Sequence, residues 1–117
     1  MLKQKIERLG RKFEKAEDIN LRTSLLRIMI CYFLTFIFKV ALRATKNGDN
    51  KLTRERIMNS ANKDDKENII EEGDNYLIVE WNMQDKEMED KYKVNTIIVY
   101  CILYFDKNGV CNKIEVE

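Results

Sequence analysis

Residues 25–42, LLRIMICYFLTFIFKVAL, are the most apolar stretch of this 117-residue chain, and any fold must find a place for them. Arg27 and Lys39 leave only residues 28–38 free of charge. As a helix that segment reaches roughly 17 Å, whereas the hydrocarbon core of a bilayer is about 30 Å thick. Two interpretations stay open: a helix in the core of a soluble domain, and a membrane anchor with 25–42 in the bilayer.

The core-helix interpretation depends on two faces of this segment. Polar or small side chains recur every four residues, at Arg27, Cys31, Thr35, Lys39 and Arg43. Larger apolar side chains cluster on the opposite face, at Met29, Phe33, Phe36, Ile37 and Val40. We therefore predict a helix from Leu21 to about Thr45 whose apolar face covers a sheet formed by the second half of the chain.

The charges of the two halves have opposite signs although the net charge is only +1. Residues 1–62 hold 14 Lys and Arg against 6 Asp and Glu, and residues 63–117 hold 7 against 14. We predict a single domain over 1–117, with a basic helical half at 1–62 and an acidic β half at 63–117. Such a separation indicates assembly between halves or between copies, and also suits an external polyanion.

The first segment, from Met1 to about Asp18, has the apolar spacing of a helix that packs on another helix. Its apolar residues follow steps of four and three, at Leu2, Ile6, Leu9, Phe13 and Ala16. Candidate phosphate-binding residues on this helix are Lys5, Arg8, Arg11, Lys12 and Lys15. Because acidic residues are interspersed among them, a solvated charged helix competes with a nucleic-acid interface.

The rest of the chain predicts a short helix and three strands. Residues 47–50 form a turn, and Asp49, Asn50 or Thr53 caps a third helix that ends near Asn62. Ile69 and Ile70 extend a turn. Strands follow at 75–82, 92–105 and 110–117, with a charged loop at 84–91. The fold class is therefore α+β, with two to three N-terminal helices on one face of a three-stranded antiparallel meander.

The turn at Asp106–Gly109 predicts the pairing of the last two strands. If Phe105 faces Val110, then Cys101 faces Ile114 and one face of the hairpin is almost wholly apolar. Cys101 and Cys111 then lie on opposite faces of the sheet, where no disulfide joins them.

The second face of the predicted sheet is also apolar. Its side chains are Tyr76, Ile78, Ile98, Tyr100, Ile102 and Tyr104. Either the first or third helix covers this face, or the face is offered to a partner.

Catalytic and metal-binding chemistry has little support in the sequence. The chain lacks histidine, its three cysteines have no Cys-x-x-Cys spacing, and no phosphate-binding glycine loop is present. We expect no catalytic residue, metal or cofactor. The leading hypothesis is a cytoplasmic, non-enzymatic protein-interaction module that binds a protein partner or itself through the Tyr/Ile face or the first helix. The alternatives are nucleic-acid binding by the basic half and membrane association through 25–42.

Overall fold

In the computed structural model, the chain is described over residues 2–45, 51–63 and 67–117. The helices α1 (Leu2–Lys15), α2 (Ile19–Ala44) and α3 (Arg54–Ser60) precede the strands β1 (Ile69–Glu72), β2 (Tyr76–Met83), β3 (Ile97–Phe105) and β4 (Cys111–Val116). A further helix, α4 (Lys86–Tyr92), lies between β2 and β3. The strands form an antiparallel sheet in the order β1-β2-β3-β4. The α+β class and the antiparallel meander are confirmed, with four strands instead of three.

The additional strand is β1, where the sequence predicted an extended turn at Ile69 and Ile70. It pairs antiparallel with β2, and the Glu80 amide donates to the Asn68 carbonyl at 2.8 Å. A four-residue strand that ends in two glutamates is too short to show the alternation of a half-buried strand. Pairing with the longer β2 therefore decided its conformation.

The predicted loop at 84–91 is instead the helix α4. The Asp85 carboxylate caps it by accepting from the amides of Glu87 at 3.0 Å and Met88 at 3.4 Å. Lys93 ends it in the left-handed conformation, with φ of 55°. The chain then descends into the core at Val94, so β3 begins at Ile97 rather than at residue 92.

Helix α2 packs on the sheet along a side that holds Arg27, Thr35 and Phe38, whereas Lys39 and Arg43 of the predicted polar ridge stay exposed. The Phe38 ring contacts the Trp81 ring at a tilt of 56°, with 5.8 Å between the ring centres, and the Arg27 Nε donates to the Ile98 carbonyl at 3.1 Å. The predicted packing face was wrong, since Phe33 and Phe36 are more than half exposed. Polar side chains can lie on this side of α2 because their donors are hydrogen-bonded. The Thr35 hydroxyl, for example, donates to the Cys31 carbonyl at 2.7 Å.

The predicted seam of α1 does contact a helix, which is α2. Arg22 holds the two helices at their connection. Its Nη1 donates to the carbonyls of Phe13 at 2.7 Å and Ala16 at 2.9 Å, and its Nε and Nη2 donate to that of Tyr92. One guanidinium thereby satisfies the C-terminal carbonyls of α1 and α4.

Helix α3 is capped by Thr53, whose hydroxyl accepts from the Arg56 amide at 3.1 Å. The other cap candidates, Asp49 and Asn50, and the turn at 47–50 lie outside the described residues. A core cluster forms beside α3 around three buried side chains: Leu77, Phe105 and Cys111. Leu52, Ile57 and Met58 pack against this cluster and join α3 to the same face of the sheet as α2.

The β3–β4 pairing differs from the predicted register by two residues. Cys101 faces Val116 and Leu103 faces Ile114, so the apolar face is kept. An irregularity at Tyr104 and Phe105 then brings Cys111 opposite Phe105 and into the core. The prediction that Cys101 and Cys111 lie on opposite faces was therefore wrong, because Asn112 is an extra residue of β4 that forms a bulge opposite β3. The turn itself is confirmed, with Gly109 at φ of 77°.

Replacing Leu77 tests the importance of the shared core. Leu77 is fully buried at the centre of the sheet, so Leu77→Ala leaves a cavity and should lower the free energy of unfolding by about 2–5 kcal/mol. Urea denaturation measures it, with Ile70→Ala as the control at a 52% exposed position, where a change within about 0.5 kcal/mol is expected. Equal effects of the two substitutions would contradict this assignment of the core.

Candidate interaction surfaces

The six predicted interface side chains lie together on the sheet face that points away from α2. We call this set the outer sheet face: Tyr76, Ile78, Ile98, Tyr100, Ile102 and Tyr104. Tyr76 pairs with Tyr104 across the strands, and Ile78 pairs with Ile102. The helix contacts described above are made on the opposite face, where α2 and α3 pack, while α1 packs on α2. Among residues 2–45, 51–63 and 67–117, the packing of α1 and α3 is thus away from the outer sheet face, and its use by a partner stays a prediction.

The side chains of the outer sheet face reduce one another's exposure to solvent. Ile98 is 36% exposed and the other five side chains are half-buried. Because neighbouring side chains on adjacent strands cover one another, these values suit a flat, continuous apolar surface. Its length along β3 from Ile98 to Tyr104 is roughly 20 Å.

Glutamates surround this surface. Glu80 on β2 and Glu117, which directly follows β4, lie on either side of Tyr100, and Glu71 and Glu115 lie at the two margins. The Tyr76 hydroxyl donates to Glu71 at 2.9 Å, and this hydrogen bond raises the pKa of the phenol. On the same face, Lys113 adds one positive charge beside these four glutamates. The surface is thus an apolar centre with an acidic rim.

The Lys113–Glu115 pair fixes one margin of the rim. The Lys113 ammonium lies 2.8 Å from the Glu115 carboxylate, which also accepts from the Tyr104 hydroxyl at 3.1 Å. The hydrogen bond from Lys113, and then that from Tyr104, lowers the pKa of Glu115. Glu115 therefore stays ionised at neutral pH and balances the charge of Lys113, so the negative charge of the rim comes from Glu71, Glu80 and Glu117.

A second apolar surface lies on the other side of the molecule. We define the α2 stripe as Phe33, Phe36, Ile37 and Val40, whose exposed fractions are 55%, 53%, 39% and 49%. Spacings of three and four residues place these side chains on one side of the helix. Within residues 2–45, 51–63 and 67–117, α2 is the helix whose length and composition would let it cross a membrane. The sequence identified these apolar residues but assigned them to the core.

The predicted nucleic-acid residues lie on α1. Arg8, Arg11, Lys12 and Lys15 are exposed and share one face of the helix, while the Lys5 ammonium lies 5.5 Å from the centre of the Tyr32 ring. Other bases of the helical half make structural contacts that the sequence did not predict: Arg22 and Arg27 as described, and Arg54 with the carbonyls of Gly73 and Asp74. The basic excess of this half therefore serves the fold in part.

The cavity between α2 and β4, about 580 Å³, is lined by Thr35, Lys39, Leu42 and the residues of 112–117. In the described part of the chain, no group of three or more Cys, Asp or Glu is arranged to hold a metal ion. The thiols of Cys31, Cys101 and Cys111 are free.

Comparisons with protein-family models, with curated proteins and with solved structures gave no match. Function is therefore argued from the surfaces themselves.

The three thiols should react with iodoacetamide in an order set by burial. Burial raises the pKa of Cys101 to about 11, so at pH 8 only about one thiol in a thousand is ionised. Cys31 is partly exposed and should be alkylated first in the folded protein, with Cys101 and Cys111 protected until urea is added. Peptide mass spectrometry gives the order. Modification of Cys101 before Cys31 in native buffer would contradict the described packing.

Proposed function

We propose that this chain is a non-catalytic protein-interaction module that binds a partner through the outer sheet face. The observation that carries the proposal is that this face, although apolar along the whole of β3, has the helices packed on its opposite side. Large apolar surfaces that stay open on a folded domain commonly mark interaction sites. Tyrosines are well suited to this role because they bury a large area with few rotatable bonds.

The rim determines the chemistry of the partner. With four glutamates around the apolar centre, a partner with an apolar stripe between lysines and arginines is complementary, as on a basic amphipathic helix. Two copies packed by their outer sheet faces would bring the same glutamates together and repel each other. The rim therefore favours a partner protein over a back-to-back dimer.

The size of the surface sets the expected strength. Along β3 it measures roughly 20 Å, and strands lie about 4.8 Å apart, so the four-stranded face is roughly 15 Å wide. The area that these two dimensions enclose is below the about 800 Å² that each partner buries in a standard stable interface. We expect a transient complex with a dissociation constant on the order of micromolar.

Capture of partners by in-cell crosslinking tests the surface. Replacing Tyr100 and Ile102 by Ser removes the centre of the apolar face and should reduce crosslinked partner at least about tenfold by quantitative mass spectrometry. The matched control is Tyr92→Ser, at a 40% exposed tyrosine on α4. Circular dichroism and thermal unfolding establish that each variant is folded. The proposal would be refuted if the double variant captured the same partners as the wild type and light scattering showed that the wild type is a monomer.

Reversing the rim charges tests the predicted partner chemistry separately. Glu80→Lys with Glu117→Lys places two cations beside Tyr100 and should weaken binding of the captured partner, while added salt should weaken the wild-type complex. Titration of the purified partner at about 50 mM and about 500 mM salt measures both effects. If the charge reversal strengthens binding, the partner is not basic and that part of the proposal fails.

A further inference from the structure

The α2 stripe is an exposed apolar surface on a helix whose other side already packs on the sheet. The opposite side of α2 contacts the sheet through Phe38 and Arg27, and Leu25 of the same helix is buried. The α2 stripe is therefore a separate face of the helix, and it does not belong to the edge of the contact between α2 and the sheet. Phe33 and Phe36 are more exposed than any residue of the outer sheet face.

The charges along α2 have one sign. From Ile19 to Ala44 the helix contains four bases and no acid: Arg22, Arg27, Lys39 and Arg43. Lys39 and Arg43 follow Phe36 and Val40 by three residues, so each lies one turn along from an exposed apolar side chain and is itself exposed. Helix α1 packs alongside and holds exposed bases at positions 8, 11, 12 and 15 together with the exposed acids at positions 7 and 14.

We propose that the α2 stripe docks on the surface of an anionic lipid bilayer, with α2 parallel to the membrane and still packed on the sheet. Apolar side chains next to lysine and arginine are the two features by which amphipathic helices bind such surfaces, with the apolar side chains inserted roughly 5–10 Å. The four stripe residues provide the first feature, and Lys39 and Arg43 provide the second.

The sheet contacts decide between docking and spanning. If α2 crossed the bilayer, the Phe38–Trp81 contact and the hydrogen bond from Arg27 to the Ile98 carbonyl would break. Arg27 would then need another partner within or near the hydrocarbon. Docking through the stripe keeps these contacts and inserts only side chains that are already exposed.

Charge also decides between the bilayer and other occupants. Two copies that met by their α2 stripes would bring their Lys39 and Arg43 side chains together, whereas anionic head groups neutralise them. A nucleic acid would neutralise them too, but it offers no apolar layer for Ile37 and Val40. The acidic outer sheet face lies on the far side of the two-layer molecule, whose smallest Cα extent is 20 Å, so anionic lipid attracts one layer and repels the other.

The test measures binding of the full-length chain to vesicles of phosphatidylcholine alone and with about 30% phosphatidylserine. We expect partitioning to the anionic vesicles only, and release by high salt or carbonate without detergent. Phe33→Ser with Ile37→Ser should reduce partitioning at least about tenfold. Lys39→Gln with Arg43→Gln should reduce it more than tenfold, at roughly fivefold per base. The control Ile70→Ser, at a position as exposed as Phe33 but outside the stripe, should leave it unchanged.

Tryptophan fluorescence reports the orientation because Trp81 is the single tryptophan of the chain and lies under α2. With brominated lipids, Trp81 should remain unquenched in the wild type, since docking leaves the α2–sheet packing intact. In the variant F33W with W81F, the new fluorophore should be quenched and shifted to the blue. Quenching of Trp81 to the same degree would show that α2 leaves the sheet, and would overturn docking.

Three other results would overturn the proposal: equal binding to neutral vesicles, no binding at about 50 mM salt, or a dimer without lipid that F33S/I37S dissociates. Retention on DNA with no binding to anionic vesicles would also overturn it. The outcome is independent of the proposed partner site, because Tyr100→Ser with Ile102→Ser should leave vesicle binding intact.

Discussion

The packing of α2 on the sheet is the contact on which the rest of the structure depends. The sheet buries one face, with Val99, Cys101 and Phe105 along β3, and one side of α2 covers this face together with α3. A helix that is apolar on more than one side cannot place all of its sides in a two-layer fold. Selecting one ridge for the sheet therefore also selects which apolar residues remain at the surface.

The polar side chains on the sheet side of α2 are hydrogen-bonded, so packing them against the sheet carries only a small desolvation penalty. Arg27 uses a strand carbonyl and Thr35 uses a carbonyl of its own helix, so the ridge meets the sheet without stranded donors. Throughout the described residues, no buried side-chain nitrogen or oxygen lacks a partner. Arg22 acts similarly at the other end of the interface, where one side chain serves the ends of two helices. Bases that resemble a polyanion site in sequence are in these positions part of the fold.

The two layers give the molecule two unlike surfaces. The sheet presents tyrosines and isoleucines within a glutamate rim, and the helical layer presents phenylalanines and aliphatic residues beside bases. Because the layers are back to back, the charge difference between 1–62 and 63–117 becomes a difference between two sides of one small body. A partner bound on one side does not obstruct the other.

The sequence by itself determined the local elements with strong patterns: the seam of α1, the turn at Gly109 and the alternation that separates the two sheet faces. It left three candidates for the cap of α3, among which the structure identifies Thr53. Short elements were missed, since β1 depends on β2 for its hydrogen bonds and α4 on the cap at Asp85. Only the tertiary structure decided which side of α2 meets the sheet. Hydrophobic periodicity ranks the faces by polarity, but packing selects by shape and by whether each polar group finds a partner, and on that basis Phe38 lies inside and Phe33 outside.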